Sequence, residues 1–138
     1  MRNRCVEIHD SILAGISLLK EEAQLHFSPA YIHESDGVPG RDAGSGWVQQ
    51  AILHVHNANI DGAFLEFPVH LTDGQTRVGD IILDNEIPVP LHHEGAFALR
   101  LQAMWQEAGA VTFTGNGAEL ELLGKAEYVE EFPGSIPR

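Results

Sequence analysis

His54 and His56 flank Val55 in the run Ile52-Leu53-His54-Val55-His56. On an extended strand both imidazoles leave the same face, about 6.5 Å apart along the chain, so one metal ion can reach both. His92, His93 and Glu94 form a second polar group, and with His33 and Glu34 they could complete a nitrogen and oxygen ligand set. Zn, Fe and Mn accept such mixtures, so a transition metal is the cofactor this arrangement would hold. The competing reading is a half-buried strand with Leu53 and Val55 inward and both histidines in solvent.

A different chemistry is offered by Ala30–Trp47, AYIHESDGVPGRDAGSGW. Between Ser35 and Gly46 the single large apolar residue is Val38, and four glycines with Pro39 favour a shaped loop. Tyr31, His33, Asp36, Arg41, Asp42 and Trp47 give it the aromatic, cationic and anionic groups that a binding site uses. As a plain connection, the same loop would be held by Trp47 against the core and by Arg41 pairing with Asp36 or Asp42. Asp36 and Asp42 lack the spacing of an EF-hand calcium loop. Gly44-Ser45-Gly46 lacks the outer glycine and the strand-to-helix setting of a nucleophile elbow. Cys5 has no readable activating partner, and Glu130 and Glu131, as neighbours on a strand, would point to opposite faces. No residue is assigned a catalytic role.

These side chains have to be positioned by short apolar runs separated by turn residues. Cys5, Val6 and Ile8 read as a strand that turns at His9-Asp10-Ser11. Ile12–Gln24 fits either a helical stripe (Ile12, Leu13, Ile16, Leu19) or strict alternation (Ile12, Ala14, Ile16, Leu18), and Gly15 tips the reading towards a strand. A turn at Lys20-Glu21-Glu22 then leads to a returning strand with Leu25, Phe27 and Tyr31, bent at Pro29. Trp47–Ile60 reads as one long strand ending at Asn57-Ala58-Asn59, and Ala63–Leu71 as an extended run. Turns are expected at Asp61-Gly62, Asp73-Gly74, Gly115-Asn116-Gly117 and Gly124-Lys125, with a polar corner at His92-His93-Glu94-Gly95. Phe97, Leu99, Leu101 and Ala103 alternate with Arg100 and Gln102, the cleanest two-residue period in the chain. The expected fold is all-β, a single-domain antiparallel sandwich or barrel over residues 1–138 with little helix, and 130–138 form a C-terminal extension with Phe132 as an anchor.

The 138 residues carry 20 Asp and Glu against 8 Lys and Arg, a formal net charge of -12. That charge repels phosphate backbones and anionic lipid, so nucleic acid and membrane are not expected partners. No run approaches the roughly 18 apolar residues of a membrane span. Glu7, His9 and Asp10 interrupt any signal-peptide h-region, and the lone Cys5 suits a reducing compartment, so the expected setting is the cytoplasm.

The segment His9-Asp10-Ser11-x-Leu13-x-x-Ile16, with Leu25-x-Phe27, the Tyr31-to-Trp47 stretch and Tyr128-Val129-Glu130-Glu131-Phe132, resembles small bacterial all-β proteins of uncharacterised families. That resemblance implies a one-domain β fold and no catalytic residue. Gly46–Gly62 is similar to the first cupin motif, in which a glycine precedes H-x-H and a glutamate follows. Here Gly46 lies further upstream, Asp61 stands where the glutamate would be, and no second motif follows. The leading functional expectation is a non-enzymatic cytoplasmic binding or interaction domain that meets a protein or small molecule through the 30–47 loop. A metal-dependent enzyme with a histidine-rich site on a cupin-like scaffold is the second reading. Self-association as a homo-oligomer about a two-fold axis is the third.

Overall fold

Side chains that alternate inward and outward dictate strands, and the computed structural model, which describes residues 2–64, 66–103 and 110–134, is built almost wholly from them. The order is β1 (Asn3–Glu7), a 3-10 turn (Ile8–Asp10), β2 (Ile12–Leu18), β3 (Glu22–Ser35), β4 (Gly44–His56), β5 (Asn59–Asp61), β6 (Val69–Val78), β7 (Ile81–Asp84), β8 (Glu86–Val89), β9 (His92–Ala103) and β10 (Val111–Phe132). The described strand pairings are antiparallel. Neighbours run β2-β6-β9-β10-β4-β3, and β3 pairs back onto β2, so these strands close into a barrel. The far half of β3 pairs instead with β1, which carries β8, and this adds an open sheet to one end of the barrel. The all-β expectation therefore holds, with strand rather than helix over residues 12–18.

Phe27, Leu53, Leu99, Leu101 and Phe113 fill the barrel interior, each no more than 1% exposed. Along β3 the inward face changes. Ala23, Leu25 and Phe27 point into the core before a bulge between Phe27 and Ala30, and Ala30 and Ile32 point into it afterwards. The cis Ser28-Pro29 bond lies inside this bulge. Ser28 and Pro29 have no partner residues on β4, so the two-residue period restarts one position out of phase.

Several glycine-rich signals that read as turns lie within strands. β3 runs on to Ser35 and β4 begins at Gly44, so the expected crossing from Ala30 to Trp47 is a hairpin whose loop is only 36–43. Tyr31 lies over Gly46, where any Cβ would collide with its ring and hydroxyl, so Gly46 serves close packing and not a bend. Gly74 sits inside β6, where a Cβ would come within 2.9 Å of the Ile8 side chain. His92–Gly95 open β9 and form no corner. Gly115 to Gly117 and Gly124-Lys125 are register shifts within β10, which continues unbroken from Val111 to Phe132. The long strand expected from Trp47 ends at Asn57, the first residue of the expected Asn57-Ala58-Asn59 end, where the chain adopts a positive φ of 51°, and Ile60 falls in the separate β5. The run expected over Ala63–Leu71 becomes strand only from Val69.

Phe132 packs edge-on against His33 with ring centres 4.6 Å apart, so it anchors the end of β10. Residues 135–138 of the expected extension lie outside the described residues. No helix among the described residues is long and apolar enough to cross a membrane.

The phase change in β3 makes a prediction. Phe27→Ala and Ile32→Ala, on odd and even positions either side of the bulge, should each lower stability by about 3 kcal/mol in urea unfolding. Ser28→Ala between them should stay within about 0.5 kcal/mol of the parent. A small effect for Ile32→Ala would place it outside the core.

Candidate functional site

The end of β1 and the 3-10 turn place Glu7, His9 and Asp10 side by side. The turn is fixed by Ser11, only 2% exposed, whose hydroxyl donates to the Glu7 carbonyl at 2.8 Å and accepts the Tyr31 N–H at 2.9 Å. Asn85, between β7 and β8 with a φ of 60°, accepts the His9 N–H through Oδ1 at 2.8 Å, and its side-chain amide also meets His9 Nδ1. Its carbonyl accepts the Ile8 N–H at 2.9 Å. Two chain segments far apart in sequence thus form one wall.

The hairpin loop forms the other wall. Asp42 Oδ2 accepts the Val38 N–H at 2.7 Å, the Val38 carbonyl accepts the Asp42 N–H at 2.8 Å, and Ser35 Oγ donates to the Ala43 carbonyl at 2.7 Å. The loop is shaped by its own hydrogen bonds, as its composition suggested. Between the walls lies a cleft of about 410 Å³ lined by Glu7, His9, Val38, Pro39, Gly40, Arg41, Asp84, Asn85 and Glu86.

Carboxylates dominate the electrostatics. Burial first, and then a hydrogen bond that protonated Glu7 donates to Asp10, push the Glu7 carboxyl up to about 7, against the opposing charge of His9. Glu7 therefore changes charge near neutral pH, which is typical of groups in functional sites. Burial, and then the nearby Glu86, raise the Cys5 thiol well above its ordinary value, so Cys5 stays a neutral thiol. His33 is 2% exposed, burial lowers its pKa, and its Nδ1 accepts the Gly40 N–H. That hydrogen bond requires a neutral ring, so the 3.9 Å approach of His33 Nδ1 to Glu7 is not an ion pair.

Of the expected binding residues, Arg41 lines the cleft and His33 supports its loop from behind. Asp42 shapes the loop, and Asp36 pairs with Arg2 at 3.2 Å. Tyr31 bonds Glu130 at 2.9 Å, and burial followed by that hydrogen bond raises its phenol pKa. Trp47 packs on the core and meets Tyr128 edge-on at 5.4 Å. Glu7, His9, Asp10, Asp84, Asn85 and Glu86 lie outside the expected binding set. The sequence does concentrate Glu7, His9 and Asp10 beside Ser11, but nothing in it brings Asn85 there.

Compared with family models, with curated proteins and with solved structures, the chain matches none.

The expected metal set does not gather. His54 and His92 both oppose Glu119, one on each side of β10, which separates them by two strand spacings, about 10 Å. His92 pairs with Glu119 at 2.8 Å, while His93 turns its Nε2 into the protein. Glu94 is exposed and opposes Gly117. His54 is instead clamped across three strands, by Glu22 at 2.7 Å and Glu121 at 2.9 Å, with His56 3.5 Å from Glu22. Among the described residues, the three donors that come within 4.8 Å of one another belong to Glu7, His9 and Asp10.

Burial works against charge on His54, but hydrogen bonds to Glu22 and Glu121, and then their charges, outweigh it and raise its pKa. A raised folded pKa gives stability that is complete below the unfolded value of about 6.5 and is lost as pH rises through the folded one. In melts from about pH 5 to about pH 9, His54→Gln should therefore lose most stability at the acid end and approach the parent at the alkaline end. A loss that is equal at every pH would rule out the charged clamp.

Proposed function

We propose that the protein is a non-enzymatic binding module whose ligand enters the cleft between the 36–43 loop and the opposite wall, and that this ligand carries a positive charge. The observation that carries the reading is the position of Gly40. A Cβ there would lie 3.3 Å from Glu7 Oε1 and 3.4 Å from Glu86 Oε2, so the loop meets two carboxylates with a residue that has no side chain. Gly40 also has a φ of 86°, which favours glycine on backbone grounds. Asp84 adds a third carboxylate to a lining whose one Lys or Arg is Arg41. A cation or a basic group offsets that excess of negative charge, and a loop over a sheet edge is a common place for recognition. The cytoplasmic setting, argued from the lone Cys5, belongs to this proposal as well.

Arginine amide, which presents a guanidinium, is a suitable probe. Added to the labelled protein, it should shift the amide resonances of 38–41 and 84–86 in NMR spectra. Glu86→Gln should weaken that binding about tenfold, or about 1.4 kcal/mol. Shifts scattered over the whole surface, or unchanged affinity in the variant, would remove the cleft as the site.

A further inference from the structure

We propose that a second site lies on the inward face of the open sheet, beyond the end of the barrel core, and that it takes a small carboxylate on an apolar or aromatic body, held by Arg4 beside Trp47. It does not depend on the cleft. The site is a pocket of about 100 Å³ lined by Arg4, Ile32, Glu34, Trp47, Gln49 and Ala126, so β1, β3, β4 and β10 all contribute to it.

The pairing register brings these side chains together. Arg4 stands two residues before Val6 on β1 and opposite Val89 on β8, so it leaves the face on which Val6 and Val89 enter the core. Ile32 opposes Trp47 and Ala30 opposes Gln49, which puts all four on that same face. Where the core ends, the face continues with an arginine. Arg4 is half-buried, and among the described residues its guanidinium has no ion-pair partner. Taking a cation out of water without a counter-charge is costly, and a planar carboxylate matches the fork of guanidinium donors.

The other polar groups of the lining are already engaged. Trp47 Nε1 donates to Ser45 Oγ at 2.9 Å, and Gln49 Nε2 donates to the Gly124 carbonyl at 3.0 Å. Glu34 carries the one opposing charge, and Arg2 at 3.5 Å offsets it. The Ser45 bond and the edge-on Tyr128 ring hold the indole, which therefore offers ring surface alone. Arg4 thus selects the charge of the ligand, while Trp47, Ile32 and Ala126 select its body. A cavity of about 150 Å³ can hold benzene, so this smaller one takes a single ring or a short chain and leaves the remainder outside.

Benzoate is the probe, with benzamide as its uncharged counterpart of similar shape. In the parent chain benzoate should shift the Trp47 side-chain N–H resonance saturably, and benzamide should bind at least about tenfold more weakly. The chain has two tryptophans, so Trp105→Phe leaves Trp47 as the fluorescent reporter for the same titration. Arg4→Gln should weaken benzoate binding at least about tenfold while arginine amide still shifts 38–41. Equal affinity for benzoate and benzamide, full benzoate affinity in Arg4→Gln, or no saturable response at Trp47 overturns the proposal, whatever arginine amide does at the cleft. The comparison of the two probes keeps Arg4 in place, so it decides the matter even if Arg4→Gln does not fold.

Discussion

β3 has to belong to two sheets. It pairs with β2 over its first half and with β1 over its second, while β4 runs alongside both. A strand with a two-residue period cannot keep one face inward across such a junction unless its phase is reset, and the bulge at Ser28-Pro29 resets it. The reset leaves Tyr31 and His33 on the face away from the barrel core, where they need cover of their own. Gly46 makes room for Tyr31, Phe132 packs on His33, and the 36–43 loop folds back until Gly40 donates to His33. That folded loop is one wall of the cleft. Ser11 bonds the first residue of this face and the end of β1 together, so the second wall is fixed by the same junction.

What could be read in the sequence follows from which interactions are local. Alternation is local, so β9, with Phe97, Leu99 and Leu101 inward, and the hairpin from β2 into β3 were both legible. Glycine proved ambiguous, because the residue that permits a tight turn also permits two strands to approach closely. Gly46, Gly74 and Gly117 face a ring, a side chain or a backbone from elsewhere in the chain, and their sequence neighbours give no sign of it. The histidines illustrate the same limit. His54 and His56 do share a face, as their spacing requires, but the groups they meet are Glu22 and Glu121. The pairing register supplied those partners. Likewise the loop was visible by composition, while the wall it faces depends on Asn85 meeting His9 across 76 residues.

The acidic excess is not spread evenly in its effects. On the outer face of the barrel, carboxylates meet imidazoles, and both members of such a pair gain: hydrogen bonds from His54 and Gln24 lower the Glu22 pKa while His54 rises. In the cleft, burial first and then the neighbouring carboxyl groups of Asp10 and Glu86 make Glu7 keep its proton to higher pH. One composition thus yields two electrostatic regimes, settled by how deeply the carboxyl is buried and by whether its neighbours contribute a base or an acid.

The register shifts of β10 bear on how the molecule behaves in a crowded solution. Beyond Glu119, the side of this strand turned away from β4 has no paired strand among the described residues, which would ordinarily offer a template to any passing chain. Breaks between Leu123 and Glu127 and between Tyr128 and Glu130 keep its amides and carbonyls from forming an even ladder. Glu127, Glu130 and Glu131 place like charges along the same stretch. The irregularity and the charge protect this strand from amyloid-like stacking, so a long bare edge can persist without sheet-to-sheet growth.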